Sequence, residues 1–226
     1  MIKTIFSAGI LSGLNSLFGF LFTLVIIQKI GLAPLGSVTI YLSVISIGTL
    51  PLFLLPNSYA VVKIQDSKEF GYYFKCILLI LSLFSGVVST ISSFLFVKDT
   101  YVSMLIPVYA MLQVLQVFYD VTYQSNGFQI RYFLAVSCAS AIKLVILVIW
   151  VLFSENHNNV ERILFFIIFT GQVILVAALA KGNPSKSGAG FLTSGVFGYY
   201  LSIYHEVKGF FLVAIFKRGY DSLPPI

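Results

Sequence analysis

Lys143 stands in the middle of an apolar run, and it is the residue of this 226-residue chain that most needs a chemical reason. It follows Arg131 by twelve residues, about 18 Å along a helix that rises about 1.5 Å per residue. With Arg131 at a membrane surface, Lys143 lies at mid-bilayer, where a lysine costs on the order of 3 kcal/mol and usually faces a bundle interior or an aqueous cavity. Tyr109, Gln113, Gln116 and Asp120 follow one another by four, three and four residues, which stacks them on one helical face. That face cannot point at lipid. Asn15 and Gln172 lie near mid-depth in two further runs. Gln113 is nearly level with Lys143, whereas Asp120 is roughly 10 Å nearer the Arg131 end. Asp66, Glu69, Asp99, Glu155 and Glu161 fall in the connections. Three arrangements of Lys143 follow: it snorkels toward Asp120, it is held neutral by desolvation, or it faces an aqueous cavity and meets an anionic ligand.

The elements that carry these residues are membrane helices. Hydrophobic residues make up 58% of the chain and charged ones 10%, against about 25% charged in a soluble domain. The apolar residues come in runs of about 18 or more, the length that about 30 Å of hydrocarbon demands. The expected fold is all-α, a polytopic bundle of six spans at about 5–27, 35–55, 76–97, 101–123, 132–153 and 163–180. Residues 1–180 are expected to hold these six spans, 181–190 a cytoplasmic loop, and 191–226 a partial seventh helix whose continuation is missing. The stretch from Asn57 to Lys75 is expected as a polar loop. Gly9, Ser12, Gly13, Ser16, Gly19 and Thr23 make a small-residue stripe on span one, and Ser82, Ser85, Ser89 and Ser92 another on span three. Such faces let helix backbones approach closely in lipid.

Lys3, Lys63, Lys68, Lys75, Arg131, Lys181 and Lys186 fall on one side of this topology, and Lys29, Lys98 and Arg162 on the other. The richer side is expected in the cytoplasm, with the N-terminus. The same bias accounts for much of the net charge of +6, and no basic stripe with interleaved aromatics points to nucleic acid. Cys76 and Cys138, in different spans, are expected as small buried hydrophobes. His157 and His205 do not sit with acids and a nucleophile in any catalytic spacing, and no phosphate loop, cofactor fingerprint or metal motif occurs. An enzyme is not expected.

Span one ends in Gln28-Lys29-Ile30-Gly31, and Leu35-Gly36 and Tyr41 open span two. Asn57-Ser58-Tyr59-Ala60 precedes the basic stretch, and span four ends near Tyr123-Gln124-Ser125-Asn126-Gly127. On these positions and on topology, residues 1–180 resemble the N-terminal half of bacterial polysaccharide flippases of the O-antigen (Wzx) type, in the multidrug, oligosaccharidyl-lipid and polysaccharide exporter superfamily. The family usually carries Arg where Lys29 stands. The resemblance implies one lobe of a MATE-like transporter in the bacterial inner membrane. Such a transporter moves an undecaprenyl-diphosphate-linked oligosaccharide, an O-antigen or capsule repeat unit, by alternating access. It further implies that the chain stops where a second lobe should begin, as a truncated reading frame or a fragment.

Lys143 would then contact the diphosphate, and Asn15, Gln113, Gln116, Asp120 and Gln172 would line the substrate path. The expected partners are the lipid-linked oligosaccharide, membrane lipids, and a second lobe or other polysaccharide-assembly membrane proteins. A drug or metabolite antiporter of the same superfamily is the second reading; it wants a membrane-embedded carboxylate, for which only Asp120 serves. A non-transporting membrane protein is the third.

Overall fold

The structure is a computed structural model that describes residues 2–50, 57–66, 68–154 and 159–182. Those residues form seven helices and no strands: α1 (Ile2–Lys29), α2 (Leu32–Gly48), α3 (Asn57–Asp66), α4 (Lys68–Phe96), α5 (Thr100–Ser125), α6 (Gln129–Phe153) and α7 (Val160–Lys181). The expected helix in 191–226 and the end of the second span lie outside the described residues. Five helices, α1, α4, α5, α6 and α7, are long and apolar enough to cross a membrane. The described α2 has 17 residues, about 25 Å, which is shorter than the hydrocarbon core.

What these helices leave outside identifies their solvent. Phe94 and Leu95 are 72% exposed, Leu152 73% and Phe153 80%. A soluble monomer does not present a continuous apolar exterior of this kind, whereas in hydrocarbon it carries no penalty. The protein is a multi-pass membrane protein.

Helix ends are set by local chemistry. Gly31 joins α1 to α2 with φ at 107°, a backbone that a side chain would strain. Gly127, at φ 75°, turns the chain from α5 into α6, and Phe128 N–H closes that turn on the Tyr123 carbonyl at 2.8 Å. Asp99 caps α5: its Oδ1 accepts from the N–H groups of Tyr101 and Val102 at 2.9 and 3.2 Å. Its Oδ2 accepts from Arg162 Nε at 2.9 Å, and the same guanidinium lies 4.6 Å from the centre of the Tyr101 ring. Burial pushes the Asp99 carboxyl up, but the hydrogen bond from Arg162, the Val102 N–H, the Arg162 charge and the Tyr101 N–H outweigh it. The group is held below its ordinary value of 3.8. This clasp puts the starts of α5 and α7 at one end of the bundle, as alternate connections require.

Three apolar clusters hold the helices. The largest gathers Ile26 of α1, Val38, Tyr41, Val44 and Ile45 of α2, Val102, Ile106 and Tyr109 of α5, Leu147 of α6, and Leu164 and Phe165 of α7. The Tyr41 and Phe165 rings meet edge-on at 5.7 Å. At the other end, Ala60 of α3, Phe70, Phe74 and Leu81 of α4, and Val114 and Val121 of α5 form the second. Tyr123, Tyr132, Ala139, Leu175 and Leu179 form the third, among α5, α6 and α7.

The expected loop from Asn57 to Lys75 is instead α3 and the first turns of α4. Its lysines and acids mask a helical pattern in which Ala60, Phe70 and Phe74 turn inward and are buried. Gln65 Nε2 also ties α3 to the end of α5 through the Ser125 carbonyl at 3.3 Å.

The two small-residue stripes have different surroundings. Ser82, Ser85, Ser89 and Ser92 are buried, and α4 approaches α2 so closely that a Cβ on Gly48 would overlap the Ser89 side chain. On α1, Gly9, Gly13 and Gly19 have no neighbour within 4 Å of where a Cβ would stand. Among the described residues that stripe serves no close helix contact. The other side of α1 meets α6. Both cysteines are free, and Cys138, expected buried, is exposed while Cys76 is buried.

Candidate functional site

A cavity of about 410 Å³ opens among α1, α2, α5, α6 and α7. Thr23 and Phe22 of α1, Thr39 and Ser46 of α2, Tyr109 and Gln113 of α5, and Ser140 and Lys143 of α6 line it, with apolar walls from Phe18, Ile26, Leu35, Val38, Leu42 and Ile168. The four-residue spacing of Tyr109 and Gln113 puts both on the cavity side of α5. Ser140 and Lys143 share one face of α6 at a spacing of three. Thr23 and Thr39 donate their hydroxyls to the carbonyls one turn back, at 3.1 and 2.9 Å. Their oxygens keep lone pairs for a ligand that can donate.

Lys143 is the cation of this cavity. Among the described residues no carboxylate pairs with it; Asp99 is engaged by Arg162 and Asp120 by Gln124. Its methylene stem crosses α7 at Gly171, where a Cβ would overlap the stem and lie 3.2 Å from Cε. The cavity therefore combines one ammonium, an amide, several hydroxyls and an aromatic edge within apolar walls. That set suits an anionic group attached to something rich in hydroxyls or apolar. Among the described residues no three His, Cys, Asp or Glu side chains gather to hold a metal.

The remaining expected site residues lie elsewhere. Asn15 is not on the cavity wall; its Oδ1 accepts from Ser140 Oγ at 2.6 Å, one turn from where Ser137 Oγ donates to the Leu11 carbonyl at 2.8 Å. These two bonds fasten α1 to α6. Gln116 and Gln172 bridge α5 and α7, with Gln172 Nε2 donating to Gln116 Oε1 at 2.9 Å. Gln116 Nε2 in turn donates to the Tyr132 hydroxyl at 3.1 Å. Asp120 lies near the C-terminal end of α5, where its Oδ1 accepts from Gln124 Nε2 at 2.7 Å. Snorkelling of Lys143 onto Asp120 is thus not what the structure adopts. The four-residue polar face of α5 divides: Tyr109 and Gln113 line the cavity, Gln116 ties α5 to α6 and α7, and Asp120 bonds within α5 itself.

Sequence reasoning passed over Thr39, Ser46 and Ser140, and placed Thr23 only in a packing stripe. In a membrane helix a lone hydroxyl can satisfy itself on its own backbone, so none of them stands out singly. The signal that could have found Ser140 is its spacing of three from Lys143.

Comparison of the chain with models of protein families, with curated proteins and with solved structures returns no match in any of the three.

Proposed function

We propose that the chain is the N-terminal lobe of a bacterial inner-membrane transporter that flips an undecaprenyl-diphosphate-linked oligosaccharide by alternating access. The observation that carries this is Lys143, without a carboxylate partner among the described residues, in a cavity of about 410 Å³ with hydroxyl and amide walls. A diphosphate supplies the anion that a mid-membrane ammonium otherwise lacks, and sugars supply hydroxyls for Gln113, Thr23, Thr39 and Ser46. In this reading Lys143 binds the diphosphate, α2 completes a sixth crossing, the N-terminus is cytoplasmic, and a second lobe or another polysaccharide-assembly membrane protein closes the far side. No chemical step on the substrate is assigned to the lobe. The antiporter reading is weaker because Asp120, the carboxylate it would use, is absent from the cavity wall and engaged by Gln124.

Transport in a strain lacking its flippase, measured as surface polysaccharide restored by the chain together with any sequence that continues its reading frame, tests the proposal. Lys143→Ala is expected to reduce restoration at least about tenfold, the equivalent of about 1.4 kcal/mol of lost ligand or transition-state contact, while Lys143→Arg retains a fraction of it. Full restoration by Lys143→Ala would sink the role given to this lysine.

A further inference from the structure

Gly171 is buried on the face of α7 that meets α6, next to Gln172, which turns away toward Gln116. A Cβ at position 171 would overlap Cγ and Cδ of Lys143 and come within 3.2 Å of Cε. The bare α7 backbone is therefore the floor on which the lysine stem rests. Cγ and Cδ belong to the middle of a flexible chain, so an added methyl group would displace the stem more readily than it would push the packed helices apart. The direction of the stem decides where the ammonium stands. From its present course it reaches the wall shared with Tyr109, Gln113 and Ser140; pushed off that course, it faces lipid or the helix seam.

We propose that Gly171 is a positioning residue, the slot that aims Lys143 into the cavity. What Lys143 then binds rests on the reading above, whereas the slot does not. The test is a two-by-two cycle of Gly171→Ala and Lys143→Ala on the full chain purified in detergent. Melting temperature is one readout, and the NMR signal of ¹³C-dimethylated Lys143 is the other. With lysine present, Gly171→Ala is expected to lower the melting temperature and to shift the Lys143 resonance while leaving the other lysines in place. With Lys143→Ala the same change should raise the melting temperature, because alanine is the better helix former and its methyl group enters space the stem has left. Lys143→Met, which keeps an unbranched stem without charge, should still conflict with Gly171→Ala.

An equal fall in melting temperature whether or not Lys143→Ala is also present, or an unmoved Lys143 resonance, would overturn the proposal. If the cycle behaves as expected while Lys143→Ala transports normally, the slot stands and the diphosphate role of Lys143 fails.

Discussion

Replacing Asp99 separates two contributions that meet on one carboxylate. Oδ1 caps α5 by accepting two backbone N–H groups, and Oδ2 pairs with Arg162. A cap of this kind is worth about 1 kcal/mol. The ion pair is partly exposed, with side chains 33% and 21% accessible for Arg162 and Asp99, and solvent screening limits it to about 0.2–1 kcal/mol. Asp99→Ala removes both and should cost about 1.2–2 kcal/mol. Asp99→Asn keeps an acceptor for Tyr101 and Val102 and should cost no more than about 1 kcal/mol. Thermal unfolding of the detergent-solubilised protein at a series of pH values measures both. Because the folded carboxyl lies below its ordinary 3.8, its charge stabilises the fold fully above the value it has in the unfolded chain. That contribution disappears as pH falls through the lower folded value. The gap between wild type and Asp99→Asn should accordingly be constant from neutral pH down to about 5 and close below about 4. Equal losses for Asp99→Ala and Asp99→Asn at pH 7, or a gap that fails to narrow in acid, would refute the division between cap and charge.

Two further outcomes follow from the packing. Gly48→Ala should lower the melting temperature by several degrees, since the Ser89 side chain occupies the space a Cβ needs. Ser89→Ala should restore only a fraction of that loss, because its own Cβ would remain within 2.9 Å. Ser140→Ala should cost about 1 kcal/mol by leaving Asn15 without its donor. Pairing it with Asn15→Leu should cost less than the sum of the two single changes, as unfolding in a graded denaturant can read.

The apolar spans were legible in the sequence because the bilayer imposes one length on every helix that crosses it. The ends of α4 to α7 fall near the expected ones, apart from the extra turns of α4 before Cys76. The missed α3 shows the limit of that signal: a ten-residue helix is too short to cross the hydrocarbon and owes its form to Ala60 and its packing neighbours. The face of Tyr109, Gln113, Gln116 and Asp120 was legible from spacing, but its division into cavity wall, the interhelical tie of Gln116 and the intrahelical bond of Asp120 was not. That depends on what α6 and α7 bring opposite each residue. Lys143 and Gln113 were found together because both are polar at one depth. Gly171 carried no comparable mark, since a glycine shows its use only when a distant side chain is laid across it.

Lys143 also bears on how the chain enters the membrane. On insertion scales one central lysine costs about 2.5–3.5 kcal/mol, and each leucine, isoleucine, valine or phenylalanine returns about 0.3–0.6 kcal/mol. The most apolar 18-residue window of the span carrying Lys143 has a mean hydropathy of 2.5, with aliphatic and aromatic residues unbroken from Leu144 to Phe153. The thirteen leucine, isoleucine, valine and phenylalanine residues from Phe133 to Phe153 together return about 4–8 kcal/mol, more than the single charge costs. This helix can therefore partition into the bilayer during synthesis with its lysine unsheltered, before the ribosome has made the helix whose glycine receives it.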